Sequence, residues 1–429
     1  MIRSLSIFAA VGALAFASVA HAELPPLTME QAVAIALNRN HDAIAARLDI
    51  DSAQFDRVQA SLYPNPVFSY TVGNLVLGAG NTQSGTVSPD FFDQTVHQVG
   101  ISDVIDIWAK RNARLHAAER SIEHRKLIVE DALREIVYAV RSGFAEVIRE
   151  QSERELAIET RARYEETVRL SRARFKAGDI SDAELKKVEL EGLRYENGVI
   201  DADLQLDIAK QKLAALLGLA SGELPAEPAE NPAPRTPYDR ASLIERALEG
   251  RPDVRAARQA KLLTEAVLAQ ARREAFPDVT LGLNYTHSNF TISGDNPNTL
   301  ALTLALPLPT FDRNQANIGR AKVDIKRAEN EGQRLAVLVQ REVAEAVSRA
   351  GRSDALLKIF EGGGMLSRAE TALKVAERSY QAGASSLLEL LEAQRTYLET
   401  RAQYLRASHD YRQATIDVAH AVGDTNGVR

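Results

Sequence analysis

The distribution of proline is the feature of this sequence that most restricts its fold. All 15 prolines lie outside two long stretches, residues 90–224 and 310–429. Proline inside a helix costs about 3 kcal/mol, because it removes a backbone hydrogen bond and clashes with the preceding turn. The two stretches therefore predict very long helices. In the first, Ala109 to Lys176 is a run of helical composition that would be about 100 Å long at 1.5 Å per residue.

A turn and a shorter helix are predicted after each long run. The second long run extends from Phe311 to Gln381, and the shorter helices are expected near Asp182–Leu217 and Ser386–Val422. Antiparallel helical hairpins of this length form a rod or the wall of a tube. The glycines at 362–364 interrupt the second run, and each costs about 1 kcal/mol relative to alanine. We therefore expect a kink there.

The N-terminus is typical of a secretory signal peptide. Arg3 gives a positive start, Ile7 to Ala20 is apolar, and Ala20-His21-Ala22 fits a cleavage site. Residues 1–22 are thus predicted to be removed, so that the mature chain begins at Glu23. An N-terminal membrane anchor is the alternative. No later stretch reaches the ~18 apolar residues of a spanning helix.

The mature chain is predicted to be an internal duplication. Residues 36–47 align with residues 247–258, and six of these twelve positions are identical. Gly178 and Gly383 then match at an offset of 205 residues. A segment with five prolines separates the copies and is expected to be extended. The predicted units are a first repeat at 23–223, a linker at 224–237 and a second repeat at 238–429.

Four short segments alternate apolar residues with polar or small ones, which predicts β-strands with one apolar face. The apolar sets are Phe68, Tyr70 and Val72; Val99 and Ile101; Val279, Leu281, Leu283 and Tyr285; and Leu300, Leu302, Leu304 and Leu306. Strands of about 8–10 residues can cross a bilayer when tilted. Aromatic residues cluster at the strand ends, as in membrane barrels: Tyr63, Phe91, Phe92, Trp108, Phe276, Phe290 and Phe311.

Four strands cannot close a membrane barrel, since the smallest known barrels use eight. Open strand edges are excluded from lipid because their backbone groups would lack hydrogen-bond partners. If these strands span a membrane, several chains must share one barrel. The alternative is two soluble hairpins packed on helices.

Composition excludes several classes of function. The chain has no cysteine, which excludes disulfides, thiolate metal sites and a cysteine nucleophile. Its net charge of −6 is too balanced for a nucleic-acid-binding protein. The histidines form no HxxxH or HExxH pair, and no P-loop or G-x-S-x-G is present. We therefore expect no catalytic residues, no cofactor, no tight metal site and no nucleic-acid partner.

Taken together, the duplication, paired strands, long hairpins and signal peptide resemble the TolC family of outer-membrane factors. The segment from Leu306 to Gln315 (LPLPTFDRNQ) resembles the strand-to-helix signature of the CzcC-like heavy-metal efflux branch. Ile107-Trp108-Ala109-Lys110-Arg111 resembles that branch's Gly-Lys-Arg element, with Ala109 where glycine is usual. The resemblance covers essentially the whole mature chain.

The resemblance implies a mainly α fold with a membrane β-barrel portion. Three chains of four strands would form one twelve-stranded barrel in the outer membrane of a Gram-negative bacterium, and the helical hairpins would form a periplasmic tunnel. The homotrimer would meet a periplasmic adaptor and, through it, an inner-membrane RND pump. The implied function is a passive exit duct for heavy-metal cations. A drug-efflux or type I secretion duct, and a periplasmic coiled-coil adaptor or scaffold, remain alternatives.

The resemblance also implies roles for residues at the hairpin turns. Glu389 and Glu392 would line the pore and form acidic rings in a trimer; the alternative is a solvated helix face. Tyr380 and Glu184 would bridge the hairpins in the closed state, while Ser385 stands where family members carry a basic gate residue. The expected adaptor-contact turns, whose glycines also suit a tight turn, are Ala177, Gly178 and Asp179, and Ala382, Gly383 and Ala384.

Overall fold

The computed structural model describes residues 26–75, 95–220, 224–229, 235, 237–288, 296–362 and 364–424. The predicted signal peptide at residues 1–22 lies outside the described residues. So do Phe91, Phe92 and Phe290 of the predicted aromatic clusters. The helices and strands follow one another as α1 (Met29–Arg39), α2 (His41–Ser61), β1 (Val67–Gly73), β2 (Val96–Ile105), α3 (Lys110–Ala177), α4 (Asp182–Leu216), α5 (Arg240–Gly250), α6 (Pro252–Glu274), β3 (Val279–His287), β4 (Asn298–Ala305), α7 (Gln315–Glu361), α8 (Met365–Gln381) and α9 (Leu387–Val422).

The long helices predicted from the proline gaps are confirmed. Helix α3 has 68 residues, which corresponds to a length of about 100 Å. The corresponding run in the second half is divided, because α7 ends at Glu361 and α8 begins at Met365. Gly364 adopts a φ of +64° between them, a conformation that favours glycine. The predicted interruption at the glycines is therefore present.

Each half of the chain has a hydrophobic core around its own long helix. In the first half, α1, α3 and α4 enclose a cluster that contains Phe144 and Leu213, both fully buried. In the second half, α5, α7 and α9 enclose a cluster that contains Val339 and Val343. Each long helix is thus packed against the shorter helices of its own half of the chain.

The strands form one antiparallel sheet in the order β1-β2-β3-β4. Its register aligns the predicted apolar residues in rows across one face: Phe68, Ile101, Leu283 and Leu302 in one row, and Tyr70, Val99, Tyr285 and Leu300 in the next. The opposite face carries polar rows such as Thr71, Gln98, Thr286 and Thr299. Leu302 is 80% exposed, so the described part of the chain leaves this apolar face uncovered there. The alternation predicted from the sequence is confirmed.

The sheet is open at both ends. Among the described residues, β1 pairs only with β2 and β4 pairs only with β3, which leaves one unpaired edge on each outer strand. Unpaired strand edges cannot lie in lipid. A sheet with one continuous apolar face and two open edges is therefore part of a barrel that a single chain does not close.

A left-handed residue marks each passage from strand to long helix. Ala109 precedes α3 with a φ of +57°, and Asn314 precedes α7 with a φ of +58°. At the first junction, the Asp106 carboxylate accepts hydrogen bonds from the backbone N–H groups of Lys110 at 2.9 Å and Arg111 at 2.7 Å. These bonds satisfy N–H groups that the first turn of a helix leaves without partners.

Contacts across the same junction join the two halves of the chain. The Trp108 ring stacks on Phe276 with ring centroids 4.7 Å apart, and its indole N–H donates to the Pro277 carbonyl at 3.0 Å. The buried Lys110 ammonium lies 2.7 Å from the Asp278 carboxylate. Trp108 and Phe276 are two of the aromatic residues predicted to gather at strand ends.

Ion pairs around the buried Arg134 join the two halves farther along the helices. Arg134 of α3 is 3% exposed and pairs with Asp131 and Glu135, while its guanidinium also donates to the His420 carbonyl of α9 at 3.0 Å. The His420 ring lies 3.0 Å from Glu135. Because buried charges are tolerated only when they are paired, this network fixes how α3 and α9 pack.

The described part of the proline-rich linker lies beside the start of the first half. The Leu27 N–H donates to the Glu227 carbonyl at 2.9 Å, and the Ala229 N–H donates to the Leu27 carbonyl at 3.1 Å. These two bonds make a parallel bridge between Leu27 and Pro228. The linker thus follows the start of the first half, although residues 230–234 and 236 lie outside the described part.

Candidate functional site

The two turns that join the helical hairpins have the same backbone design. Helix α3 ends at Gly178 with a φ of +84°, and the Asp179 N–H donates back to the Arg174 carbonyl at 2.9 Å. Helix α8 ends near Gly383 with a φ of +73°, and the Ala384 N–H donates to a carbonyl one turn earlier at 2.8 Å. Such left-handed caps satisfy the last carbonyls of a helix. We call these two turns together the tip.

The tip turns expose the residues predicted to contact an adaptor. Ala177, Gly178 and Asp179 are exposed, and so are Ala382, Gly383 and Ala384. A side chain at Gly178 or Gly383 would contact no more distant part of the described chain, so neither turn is packed against another element. The surface is suited to a protein contact, and contact with an adaptor stays a prediction.

Serine residues cap the helices that return from the tip. The Ser181 hydroxyl accepts from the Glu184 N–H at 3.2 Å, and the Glu184 carboxylate accepts from the Ser181 N–H at 2.9 Å. Ser386 accepts from the Glu389 N–H at 3.3 Å. Hydrogen bonds from Ser181 lower the pKa of Glu184, and the charge of Arg174 lowers it further. Glu184 therefore serves first as the helix N-terminal partner of Ser181.

Tyr380 is buried between the two hairpins. It is 1% exposed, and it packs with Leu373 and Leu390 in a cluster formed by α8 and α9. Its hydroxyl lies 3.2 Å from the Ser171 hydroxyl of α3. Within one chain, the partner of Tyr380 is thus Ser171, whereas Glu184 bonds to Ser181. The predicted bridge between Tyr380 and Glu184 in the closed state stays a prediction.

The predicted acidic pair lies on an exposed helix face. Glu389 and Glu392 occupy the first two turns of α9 and are both exposed. Arg395 follows one turn later on this face, where it pairs with Glu399 at 2.8 Å and is also attracted by Glu392. Sequence reasoning overlooked this arginine, although its spacing of three from Glu392 was visible.

Among residues in the described ranges, no group of three or more His, Cys, Asp or Glu side chains is placed to hold a metal ion. The same part of the chain contains no helix that is long and apolar enough to cross a membrane.

The sequence matches a known protein family. Residues 32–219 and 243–424 match the family described as outer membrane efflux protein. The chain belongs to this family.

Three curated relatives match this outer membrane efflux protein along most of its length. The cobalt-zinc-cadmium resistance protein CzcC of Cupriavidus metallidurans is 28% identical over 410 residues, which cover 93% of this chain and 90% of CzcC. The pyoverdine export outer membrane protein OpmQ of Pseudomonas putida is 24% identical and covers 92% of this chain and 85% of its own. The cation efflux system protein CusC of Escherichia coli O157:H7 is 25% identical, with shares of 90% and 84%.

Solved structures show the same fold. The crystal structure of CusC superposes with a TM-score of 0.74 at 18% identity and covers 92% of both chains. The outer membrane protein VceC of Vibrio cholerae superposes with a TM-score of 0.72 at 21% identity, with 92% of this chain and 96% of VceC covered. The fold is thus that of the TolC-like outer-membrane channels.

Membership of this family places the sheet and the helices relative to the outer membrane. The exposed apolar face of the sheet lies in the outer membrane, and the helices extend into the periplasm. Since α3 alone is about 100 Å long, the tip lies at the end of the molecule farthest from that membrane.

Proposed function

We propose that this outer membrane efflux protein is the passive exit duct of a tripartite RND-type efflux system and that its cargo is heavy-metal cations. The observation that carries the proposal is the end-to-end similarity to CzcC, whose name states resistance to cobalt, zinc and cadmium. In this arrangement a periplasmic adaptor joins the duct to an inner-membrane pump. The pump selects the cargo and supplies the energy.

The open sheet supports a homotrimer as the working unit. Three copies of a four-stranded sheet provide twelve strands, which is within the range of membrane barrels, and β4 of one copy would pair with β1 of the next. Native mass spectrometry of the detergent-extracted protein should give three chains. A monomer, or a protein recovered from the periplasm instead of the outer membrane, would contradict the proposal and favour the adaptor alternative.

The helix beside each open strand edge supports the same assembly. Helix α2 leads into β1 and exposes a stripe of large apolar residues: Ile44, Leu48, Phe55, Val58 and Leu62. Helix α7 follows β4 and exposes Val323 and Val337 on its free side. In a ring of copies, α2 of one copy would pack beside α7 of the next, so that both surfaces would be covered. Phe55→Glu should therefore abolish trimers, whereas Glu331→Gln on α7, which removes a charge from an exposed ion pair with Arg334, should leave them intact.

The proposal also includes a division of the chain into two repeats. We place a first repeat at 23–223 and a second at 238–429, each with paired strands and a hairpin. The matching left-handed residues before α3 and α7, and the matching glycines at the tip, support this division. Six hairpins from three chains would then surround one tunnel.

Glu389 and Glu392 are proposed to form acidic rings that favour cations near the tip. The double variant Glu389→Gln, Glu392→Gln should lower cation selectivity and weaken block by divalent ions in planar bilayers. Glu331→Gln provides the control, since it also removes acidic charge from an exposed helix position. Equal selectivity of the double variant and the wild type would refute the rings.

Deletion of the gene tests the cargo. The deletion strain should lose tolerance to zinc, cobalt or cadmium, and a plasmid-borne copy should restore it. Equal tolerance of both strains to zinc, cobalt, cadmium, copper and silver would overturn the metal proposal. The similarity to OpmQ favours a second candidate, export of an organic molecule such as a siderophore or drug. Loss of siderophore export or drug tolerance without metal sensitivity would establish that candidate.

A further inference from the structure

Two histidines lie opposite each other at one end of the sheet. His97 of β2 pairs in register with His287 of β3. The long helices adjoin the other end of these strands, so the two histidines lie at the end farthest from the helices. Residues directly opposite in an antiparallel pair have Cβ atoms about 4.5–5.5 Å apart and project from the same face. Two imidazoles at this spacing can reach one metal ion. We call His97 and His287 the rim pair.

Asn298 of β4 fixes the position of the hydrogen on the His287 ring. The His287 Nδ1 atom lies 2.9 Å from the Asn298 side-chain oxygen, and the Tyr285 hydroxyl donates to the same oxygen. Because an amide oxygen only accepts hydrogen bonds, Nδ1 of His287 carries the hydrogen. The neutral ring then has its lone pair on Nε2, which has no hydrogen-bond partner in the part of the chain that the structure describes. Nε2 of His287 can therefore serve as a metal ligand.

Tyr70 of β1 holds the other ring in a similar way. The His97 Nδ1 atom lies 2.8 Å from the Tyr70 hydroxyl, and its Nε2 atom lies 2.7 Å from the Thr95 hydroxyl. His97 is buried, so these contacts fix the orientation of its ring. A hydroxyl accepts as well as donates, and when Tyr70 accepts from Nδ1 the lone pair of His97 is on Nε2. A metal ion would then replace the neutral Thr95 hydroxyl at that nitrogen.

We infer that the rim pair binds one divalent transition-metal ion per chain through the two Nε2 atoms, with water in the remaining positions. Histidines that bind metals usually donate their other ring N–H to a neighbouring group, and Tyr70 and Asn298 occupy those positions here. Imidazole ligands favour copper, nickel and zinc, whereas magnesium and calcium prefer oxygen ligands. The inference does not depend on the proposed cargo, because the site lies on the apolar face of the sheet and binds an ion whether or not metal passes through the duct.

A bound ion would join the two halves of the chain. His97 belongs to the first half and His287 to the second, and they are separated by 190 positions in the sequence. No short histidine motif could therefore reveal the pair, and only the register of β2 and β3 brings its members together. Since a ligand that binds only the folded state stabilises it, the metal should also raise the melting temperature of the protein.

Titration calorimetry of the detergent-extracted full-length protein, freed of metal with a chelator, tests the inference. Cu²⁺ should bind with one ion per chain and more tightly than Ni²⁺, and Mg²⁺ should not bind. Electron paramagnetic resonance of the copper-loaded protein should show two nitrogen ligands. A protein that binds neither Cu²⁺ nor Ni²⁺, or whose copper spectrum shows a single nitrogen ligand, would overturn the inference.

Variants assign the binding to the rim pair. His287→Gln and His97→Gln should each weaken Cu²⁺ binding about tenfold or more. His116→Gln, which removes an exposed histidine of α3 outside the sheet, should match the wild type. Asn298→Ala should weaken binding about tenfold, and Asn298→Asp, which keeps an acceptor oxygen, should restore it. If His97→Gln fails to assemble, His287→Gln decides alone. Equal Cu²⁺ affinities of the wild type and His287→Gln, or equal losses in His287→Gln and His116→Gln, would refute the site.

Discussion

Ala109 is strained in the structure, and its replacement by glycine should stabilise the protein. An L-residue other than glycine pays about 1–2 kcal/mol for the left-handed conformation, and Ala109 has a φ of +57°. Glycine removes that cost but adds about 0.4–1 kcal/mol of freedom to the unfolded chain. We expect Ala109→Gly to raise the free energy of unfolding by about 0.5–1 kcal/mol per chain. Denaturant titration of the detergent-solubilised protein, followed by circular dichroism, measures it.

Asn314 supplies the comparison, since it occupies the equivalent position at a φ of +58°. Asparagine tolerates this conformation, so that little strain is left to relieve. Its side-chain amide also donates to the Ala271 carbonyl at 2.8 Å. Asn314→Gly should therefore lower the free energy of unfolding by about 1 kcal/mol, through loss of this hydrogen bond. The reasoning fails if Ala109→Gly destabilises the protein or if both variants shift stability in the same direction.

Three other predictions concern stability. Gly218→Ala should lower the free energy of unfolding by about 3 kcal/mol, because a Cβ there would lie 2.4 Å from a backbone carbonyl oxygen. Gly383 has a similar φ but open space around it, so Gly383→Ala should lower the free energy of unfolding by only about 1 kcal/mol. The denaturant midpoints of the two variants measure this difference. Tyr164→Phe should raise the free energy of unfolding by about 1 kcal/mol, since the Tyr164 hydroxyl is buried with no hydrogen-bond partner in the described structure. A lower melting temperature of the variant would contradict this and would indicate a partner such as a bound water. The hydrogen bond from His420 lowers the pKa of Glu135 below 4.5. The folded protein therefore binds fewer protons than the unfolded chain near this pH. The resulting stability is present above pH 4.5 and is lost as the pH falls through the lowered pKa. Glu135→Gln should therefore flatten the acid side of the stability curve, and an unchanged slope below pH 4.5 would contradict this assignment.

Structural features that depend on a local sequence pattern were predictable. Alternation along the four strands located the apolar face, because a shift of one residue in register would turn that face over. Phe68, Ile101, Leu283 and Leu302 were each identified within their own strand, and the register then placed them in one row. Helical composition together with the absence of proline likewise predicted both ends of α3 to within one residue.

Contacts between distant residues were not predictable in the same way. Ser171 and Tyr380 are separated by 209 positions, and no local pattern on α3 indicates which side chains meet the second hairpin. The role of Glu184 was different, because the spacing of Ser181 and Glu184 is that of a capping box and was visible in the sequence. Reasoning from the family drew attention to the tyrosine and the acid, but only the helix packing reveals that Arg174 lies near both.

The two open edges of the sheet have a consequence for the life of a newly exported chain. Until it meets its copies, the chain carries bare strand edges and an uncovered apolar surface through water, and both promote aggregation. Each edge fits the opposite edge of another copy, so addition of chains stops only when the ring closes. Assembly then depends steeply on how many chains are present, and chains that wait too long are lost to proteases. The concentration of newly exported chains therefore affects how many are completed to closed rings, because each unassembled chain keeps both open edges.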